Sequence, residues 1–306
     1  MLLRRNSPVG GQYRFVLCAL ALTTILSIPL ALAEGAPAKI DVLHVGTSGT
    51  LTGEQGSREK GALESLKSFI KEVTGLDNDI TRQKDWRELT DKMAKGQLHI
   101  GVFQGYEFGW AQKEHAELKP LALAINLYRY PVVYAVTAKD NPAKDFAGLQ
   151  GHTVCLPDTG QPYLQLFAAH EAKAQGKDLK DFFSKVTAEQ GVEDCLDNVV
   201  DGTVQAAIVD RAALEAYKQR KPGRFNKLKE VAKSKPFPPV VIAYYDKVLD
   251  ESTLKPFREG LEGAGKTEKG KTMMTLFHLT AFESVPDDFA KVLADTLKDY
   301  PAPKAN

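Results

Sequence analysis

The chain has little cysteine, no surplus of one charge, and none of the short motifs that mark common catalytic sites. Three cysteines among 306 residues leave no zinc-ligand spacing. Lys and Arg number 40 against 39 Asp and Glu, whereas a nucleic-acid surface needs a basic excess. No G-x-S-x-G, P-loop or H-E-x-x-H run occurs. His44, His99, His115, His152, His170 and His278 are scattered without metal spacing. The adjacent carboxylates Asp287 and Asp288 read as helix capping. These absences argue against an enzyme, a metal centre or a cofactor. A content of 43% hydrophobic and 26% charged residues is that of an ordinary globular chain.

Long apolar runs are confined to the N-terminus. Arg4, Arg5 and Arg14 precede the apolar segment Phe15–Leu32, which closes in Ala31-Leu32-Ala33. A charged start, an apolar middle and an A-x-A end predict a secretory signal over residues 1–33, with Pro29 favouring cleavage over a retained anchor. Its removal would take three basic and no acidic residues, moving the formal charge from +1 to −2. It would also take Cys18 and leave Cys155 and Cys195. In an exported chain these two are either one disulfide or two buried thiols. A bridge would stabilise the fold by roughly 3–4 kcal/mol.

A duplicated unit dominates the rest. Trp86–Phe103 is an amphipathic helix, a glycine stop at Gly96 and a buried strand, and a helix follows the next turn. The plan returns around Gly202: Leu89 falls on Cys195, Met93 on Val199, Leu98 on Val204 and Val102 on Ile208. Asp85 and Glu88 have capping-box spacing at the first copy's start.

Around these copies, Ile40–Val45 reads as a strand, followed by the glycine-rich loop GTSGTLTGEQGS and a helix over Arg58–Val73. A short strand is expected near Asp79–Thr81. The order β-α-β-α-β-α predicts a parallel sheet with helices on its faces. A second such set begins at His152–Leu156, with a helix over Tyr163–Ala174. Between and after the two sets lie YPVVYAVT (Tyr130–Thr137) and FPPVVIAYY (Phe237–Tyr245), read as strands crossing between two lobes. Lys218–Gly223 reads as a solvated connector, and the segment from about Asp250 as helical, returning to the first lobe. The expected architecture is α/β and two-lobed, each lobe a mostly parallel sheet flanked by helices. Residues 34–138 and 240–306 form lobe 1, and 139–239 form lobe 2.

The order of these pieces resembles the type II periplasmic solute-binding proteins of ABC transporters, and within them the phosphate/phosphite/phosphonate-binding family. MAKGQLHIGVFQGYEFGWA, its echo VVDGTVQAAIVDRAALEA and the lobe entry FAGLQGHTVCLPDTGQP carry the resemblance. It departs at His99 and Gln205, where the family commonly has Asp after the glycine. It departs also at the turn Asp158–Gln161 and at Glu193-Asp194-Cys195. The resemblance implies a periplasmic, monomeric, non-catalytic protein that closes on a small anionic or polar solute and delivers it to a membrane permease. One alternative is a sensory module presenting its bound state to a sensor kinase; another is an exported enzyme on the same scaffold.

In open α/β sheets ligands sit beyond the carboxyl ends of the strands, where helix starts suit an anion. That rule nominates Thr47, Ser48, Gly49 and Thr50; Lys84; Gln104, Gly105 and Tyr106; Asp158, Thr159, Gly160 and Gln161; and Asp210. Arg129, between Tyr128 and Tyr130, is the candidate cation. Trp86 and Trp110 are expected in the core.

Overall fold

The computed structural model describes residues 40–48, 57–158, 161–189, 191–246 and 248–304. The expected signal segment, and the nominated Gly49, Thr50, Thr159 and Gly160, lie outside these residues. In chain order the elements are β1 (Val42–Ser48), α1 (Ser57–Thr74), β2 (Asp77–Gln83), α2 (Trp86–Ala94), β3 (Ile100–Phe103), α3 (Gly105–Glu114), β4 (Leu118–Ile125) and β5 (Val133–Ala138). They continue with β6 (Thr153–Cys155), α4 (Pro162–Ala174), α5 (Leu179–Phe182), β7 (Lys185–Thr187), α6 (Val192–Val200), β8 (Ala206–Asp210) and α7 (Arg211–Arg220). The last are α8 (Pro222–Phe225), β9 (Leu228–Lys233), β10 (Val240–Tyr245), α9 (Glu251–Glu262), α10 (Glu268–Leu276), β11 (Ala281–Glu283) and α11 (Phe289–Asp299). No helix among the described residues is long and apolar enough to cross a membrane.

Two sheets result, ordered β11-β4-β10-β3-β1-β2 and β7-β6-β8-β5-β9. Each has a parallel half, β2-β1-β3 and β7-β6-β8, built from strand–helix–strand units. Each also has an antiparallel half made where the chain arrives from or returns to the other sheet. Three strands were not expected from the sequence. β7 and β11 are three-residue edge strands, and β9 mixes charged and apolar residues without alternation.

The duplication is carried by the backbone. Adding 106 to the bounds of α2 and α3 gives the bounds of α6 and α7, and Ile100 falls on Ala206 at the start of β8. Gly96 and Gly202 both take positive φ, 68° and 76°, the conformation that closes a helix and favours glycine. In each copy the N–H three residues after the glycine bonds to the preceding strand: His99 to His44 O, 2.8 Å, and Gln205 to Thr153 O, 3.0 Å. The capping box differs slightly from expectation. Asp85 does accept from the Glu88 N–H, 3.0 Å, but the Glu88 carboxylate takes the N–H of Lys84, 2.7 Å, one residue before the cap.

The two crossings need correction. Val133–Ala138 pairs with β8 and β9, so it belongs to the second sheet. The expected boundary at residue 138 places it in the first lobe, because proline, valines and tyrosines do not say which sheet a strand joins. The chain crosses just before it, over residues 126–132, and returns over residues 234–239, just before β10. The crossings are bonded to each other: Val133 N–H to Ser234 Oγ, 2.9 Å, Ser234 N–H to Val133 O, 2.9 Å, and Phe237 N–H to Pro131 O, 2.8 Å. Lys218–Gly223 is largely exposed, as expected, but is not a bare connector. It spans the end of α7 and the start of α8, and Arg220 and Lys221 pair with Glu193 on α6.

Cys155 and Cys195 are joined as a disulfide inside a cluster with Val136, Val199 and Tyr217. The C-terminal helix makes a contact the sequence did not suggest. α11 packs on α3, where Leu293 and Leu297 approach Gly109. Beyond it, the Tyr300 ring meets Phe237 of the return crossing (centroids 4.8 Å) and His170 of α4 (4.8 Å). The Tyr300 carbonyl accepts the Trp110 indole N–H at 2.8 Å, and Lys235 pairs with Asp299 at 2.8 Å. A single apolar cluster therefore contains Phe103 and Trp110 beneath one sheet and Phe167 and Ile208 beneath the other.

Candidate functional site

The registers fix which edges the crossings join. Val240 of β10 lies opposite Ala124, and Val241 opposite Phe103, the last residue of β3. Val133 of β5 lies opposite Asp210, the last residue of β8. Both crossings thus run between the carboxyl edges of the two parallel halves. At the first edge are Thr47, Ser48, Gln83 and the start of α3; at the second are Asp158, Gln161 and the start of α7.

At the first edge, Ser48 and Thr47 are buried, 4% and 3% exposed. The Ser48 hydroxyl donates to the Glu107 carboxylate, and the Gln104 N–H donates to the same oxygen, 3.3 Å. Burial raises the Glu107 carboxyl above the ordinary carboxylate range, Asp85 adds to the rise, and the two donors pull it back. Gly105 follows at the helix start, where a Cβ would stand 2.3 Å from the Pro239 carbonyl and 2.4 Å from that of Pro238. Only glycine lets the return crossing lie across this helix end. Tyr106 turns inward, 6% exposed, with its ring edge-on to Trp110 at 4.9 Å; burial raises its phenol. Trp86 and Trp110 are both core residues. Lys84 is exposed beside the α2 start.

At the second edge the arrangement is similar but uses different residues. Asp210 caps α7, accepting from the Ala213 N–H at 2.8 Å. Its other oxygen accepts from Gln161 Nε2 and from the Tyr163 hydroxyl, each at 3.1 Å. Burial raises the Asp210 carboxyl, and these three donors offset part of the rise. The Arg211 N–H is taken by Val132 O, 2.8 Å, from the outgoing crossing. Asp158 is exposed. It borders a groove of about 720 Å³, lined also by Leu156, Gln161, Leu179 and Thr187, and every residue lining that groove lies between 156 and 188. Arg129 is already paired, its Nε 2.5 Å from Glu283 on β11.

Of the nominated residues within the described set, the structure therefore brings Ser48 and Gln104 together, and separately Gln161 and Asp210. Asp158 shares a groove with Gln161, whereas Lys84 and Arg129 bond elsewhere, to Glu88 and Glu283. Glu107 and Tyr163 were not nominated. Glu107 stands three residues after Gln104, the spacing of a capping box, which was the available signal. Tyr163 carried none, since its partner is 47 residues away. His99 and Gln205, the departures from the family pattern, lie at the opposite, amino ends of β3 and β8. His99 Nδ1 accepts the His44 N–H, 3.0 Å, and Gln205 Oε1 accepts the Thr153 N–H, 2.9 Å. Each supplies a side-chain acceptor to a backbone N–H of the adjacent strand, at the edge away from the crossings. Among the described residues no group of three or more His, Cys, Asp or Glu could hold a metal ion.

Solved structures share the fold. A Xanthomonas citri protein solved with ATP matches with a TM-score of 0.60 at 15% identity, over 85% of this chain and 97% of its own. A Pseudomonas aeruginosa binding component of an ABC phosphonate transporter matches at 0.54 and 14%, over 87% and 86%. PhnD1 of Prochlorococcus marinus (MIT 9301), solved with methylphosphonate, matches at 0.55 and 13%, over 84% and 97%. No curated protein sequence matches. A family model does: that of the phosphonate ABC transporter periplasmic substrate-binding proteins covers residues 49–289, most of the chain, and the protein belongs to this family of solute-binding transport components.

Proposed function

We propose that this protein captures a small tetrahedral oxyanion, phosphonate-like in shape, between the carboxyl edges of its two sheets and passes it to the permease of an ABC transporter. The observation that carries the reading is the convergence at the crossings. Two helix starts, α3 and α7, stand where the chain passes between sheets, and helix starts offer N–H groups and a positive dipole end to an anion. Ser48, Gln104 and Gly105 on one side, and Gln161, Tyr163 and Asp210 on the other, are the described residues we place against the solute. Thr47 and Tyr106 are buried behind the first set and Asp158 borders a groove with Gln161; Lys84 and Arg129 would reach the solute only on closure. Gly49, Thr50, Thr159 and Gly160 belong to the same turns by sequence.

The hinge in this reading is the bonded pair of crossings, residues 126–132 and 234–239, about which domain closure would rotate. Lobe 1 then comprises the chain before and after the crossings, and lobe 2 the segment between them. Export by cleavage after Ala33, action as a monomer, and a permease rather than a sensor kinase as partner complete the proposal.

The test is a thermal-shift panel on the mature protein with phosphate, phosphite, methylphosphonate, methanesulfonate, sulfate, amino acids and thiamine precursors. A true solute at a hundredfold excess over its dissociation constant adds about 2.7 kcal/mol of stability. If no oxyanion moves the midpoint while an amino acid does, the anion reading is wrong.

A further inference from the structure

Both helix starts at the paired edges are already supplied with a carboxylate by the chain itself. The duplicated backbones make the point sharply. Gln104 and Asp210 occupy equivalent cap positions, 106 residues apart, yet each copy delivers its negative charge by a different residue. In the second copy the cap residue Asp210 does so. In the first the cap is the neutral Gln104, and Glu107, three residues into the helix, folds back to accept from the Gln104 N–H and the Ser48 hydroxyl. Those two donors are among the groups an oxyanion at this helix start would use. Glu107 is thus an internal carboxyl group at the α3 start, where the reading above places the solute. The charged group facing it from the cap of α2 is Asp85, also acidic, and within α3 it lies near the Tyr106 phenol. Arg129, the cation nominated for this region, is bonded to Glu283.

Resting on the functional reading above, we propose that Glu107 is the specificity-determining residue of the site, excluding doubly charged tetrahedral anions in favour of singly charged ones. A dianion brought to the α3 start meets a carboxylate of the same sign in a partly buried setting, where screening by water is weak. It binds only if one proton is taken up, on Glu107 or on the solute. A monoanion of the same shape suffers about half that repulsion and can share the Ser48 hydroxyl.

Methylphosphonate and methanesulfonate have the same shape and, at pH 8, differ chiefly in charge. Calorimetric titration of the mature protein with each, as wild type and as Glu107→Gln, reads the effect directly. The amide keeps the acceptor for Ser48 and removes the charge. Glu107→Gln should tighten methylphosphonate about tenfold or more, one unit of pKa-equivalent interaction, and methanesulfonate by clearly less. Wild-type titrations repeated in buffers of different ionisation enthalpy should show close to one proton taken up with methylphosphonate and fewer with methanesulfonate; this arm needs no variant to fold. Equal shifts for both anions, or no proton uptake, would overturn the role of Glu107 while leaving the oxyanion reading intact. If neither anion binds wild type or variant, the functional reading itself falls, and this inference with it.

Discussion

The two copies of the helix–strand–helix unit match in backbone and differ in how they are fastened. Gly46 on β1 and Cys155 on β6 hold equivalent places, since Val45 pairs with Ile100 as Val154 pairs with Ala206. Leu89 and Cys195 are equivalent on the helices above. In the first copy the leucine needs the room glycine leaves: a Cβ on Gly46 would lie 2.5 Å from Leu89 Cδ1. In the second copy the same two places are bridged by the disulfide. One backbone plan tolerates either a close apolar fit or a covalent bond at the same point. What the plan demands is that the helix be held down on the strand, not the means of holding it.

The comparison breaks most visibly if the fastenings are cut. Replacing both cysteines by serine should cost about 4 kcal/mol, from releasing a loop whose ends are 40 residues apart in sequence, measured as urea unfolding with and without reductant. Leu89→Ala, the matching cut in the first copy, should cost about 3 kcal/mol as a buried cavity, and reductant should leave that loss unchanged. If the serine pair costs less than 1 kcal/mol, the two fastenings are not equivalent.

A smaller contrast concerns the helix starts. Asp210→Ala removes a cap and leaves the Tyr163 hydroxyl and Gln161 amide without their acceptor, an expected loss of about 2 kcal/mol in thermal unfolding. Glu107→Gln, which keeps an acceptor, should cost under about 1 kcal/mol. Equal losses would mean the two carboxylates do not differ in structural role.

The smallest effect is one of pH. Burial, and secondarily His44, lowers the His99 imidazole below its ordinary 6.5. The unfolded chain therefore binds the proton more readily than the folded one, and stability rises with pH across that window. It is fully present above 6.5 and declines as pH falls from 6.5 toward the lower folded value. Gln205, in the equivalent place, has no such dependence. His99→Gln should flatten the slope of denaturant midpoints against pH below 6.5.

Much of this scaffold was readable in advance because it rests on local patterns. Leu89 and Met93 share a helix face, Gly96 needs its positive φ, and an apolar strand follows; the same three signals recur around Gly202. Short edge strands were not readable. Lys185-Val186-Thr187 looks like solvated surface, and only pairing with β6 makes it a strand. Nor could the sequence assign β5 to its sheet, since that depends on partners 70 to 100 residues away. The site divides in the same manner. The turns were found because they follow strands, but Glu107 and Tyr163 matter through Ser48 and Asp210, which lie 59 and 47 residues distant.

The contact of Tyr300 with the return crossing and with α4 has an optical consequence. The chain has two tryptophans, and they lie together, ring centroids 5.9 Å apart. One of them, Trp110, gives its indole N–H to the Tyr300 carbonyl, while the Tyr300 ring rests on the return crossing and on α4. Any rotation of one sheet against the other that shifts Tyr300 must disturb that indole. If the sheets rotate about the crossings as proposed, the emission of the unlabelled protein should report it, with no other tryptophan to add background.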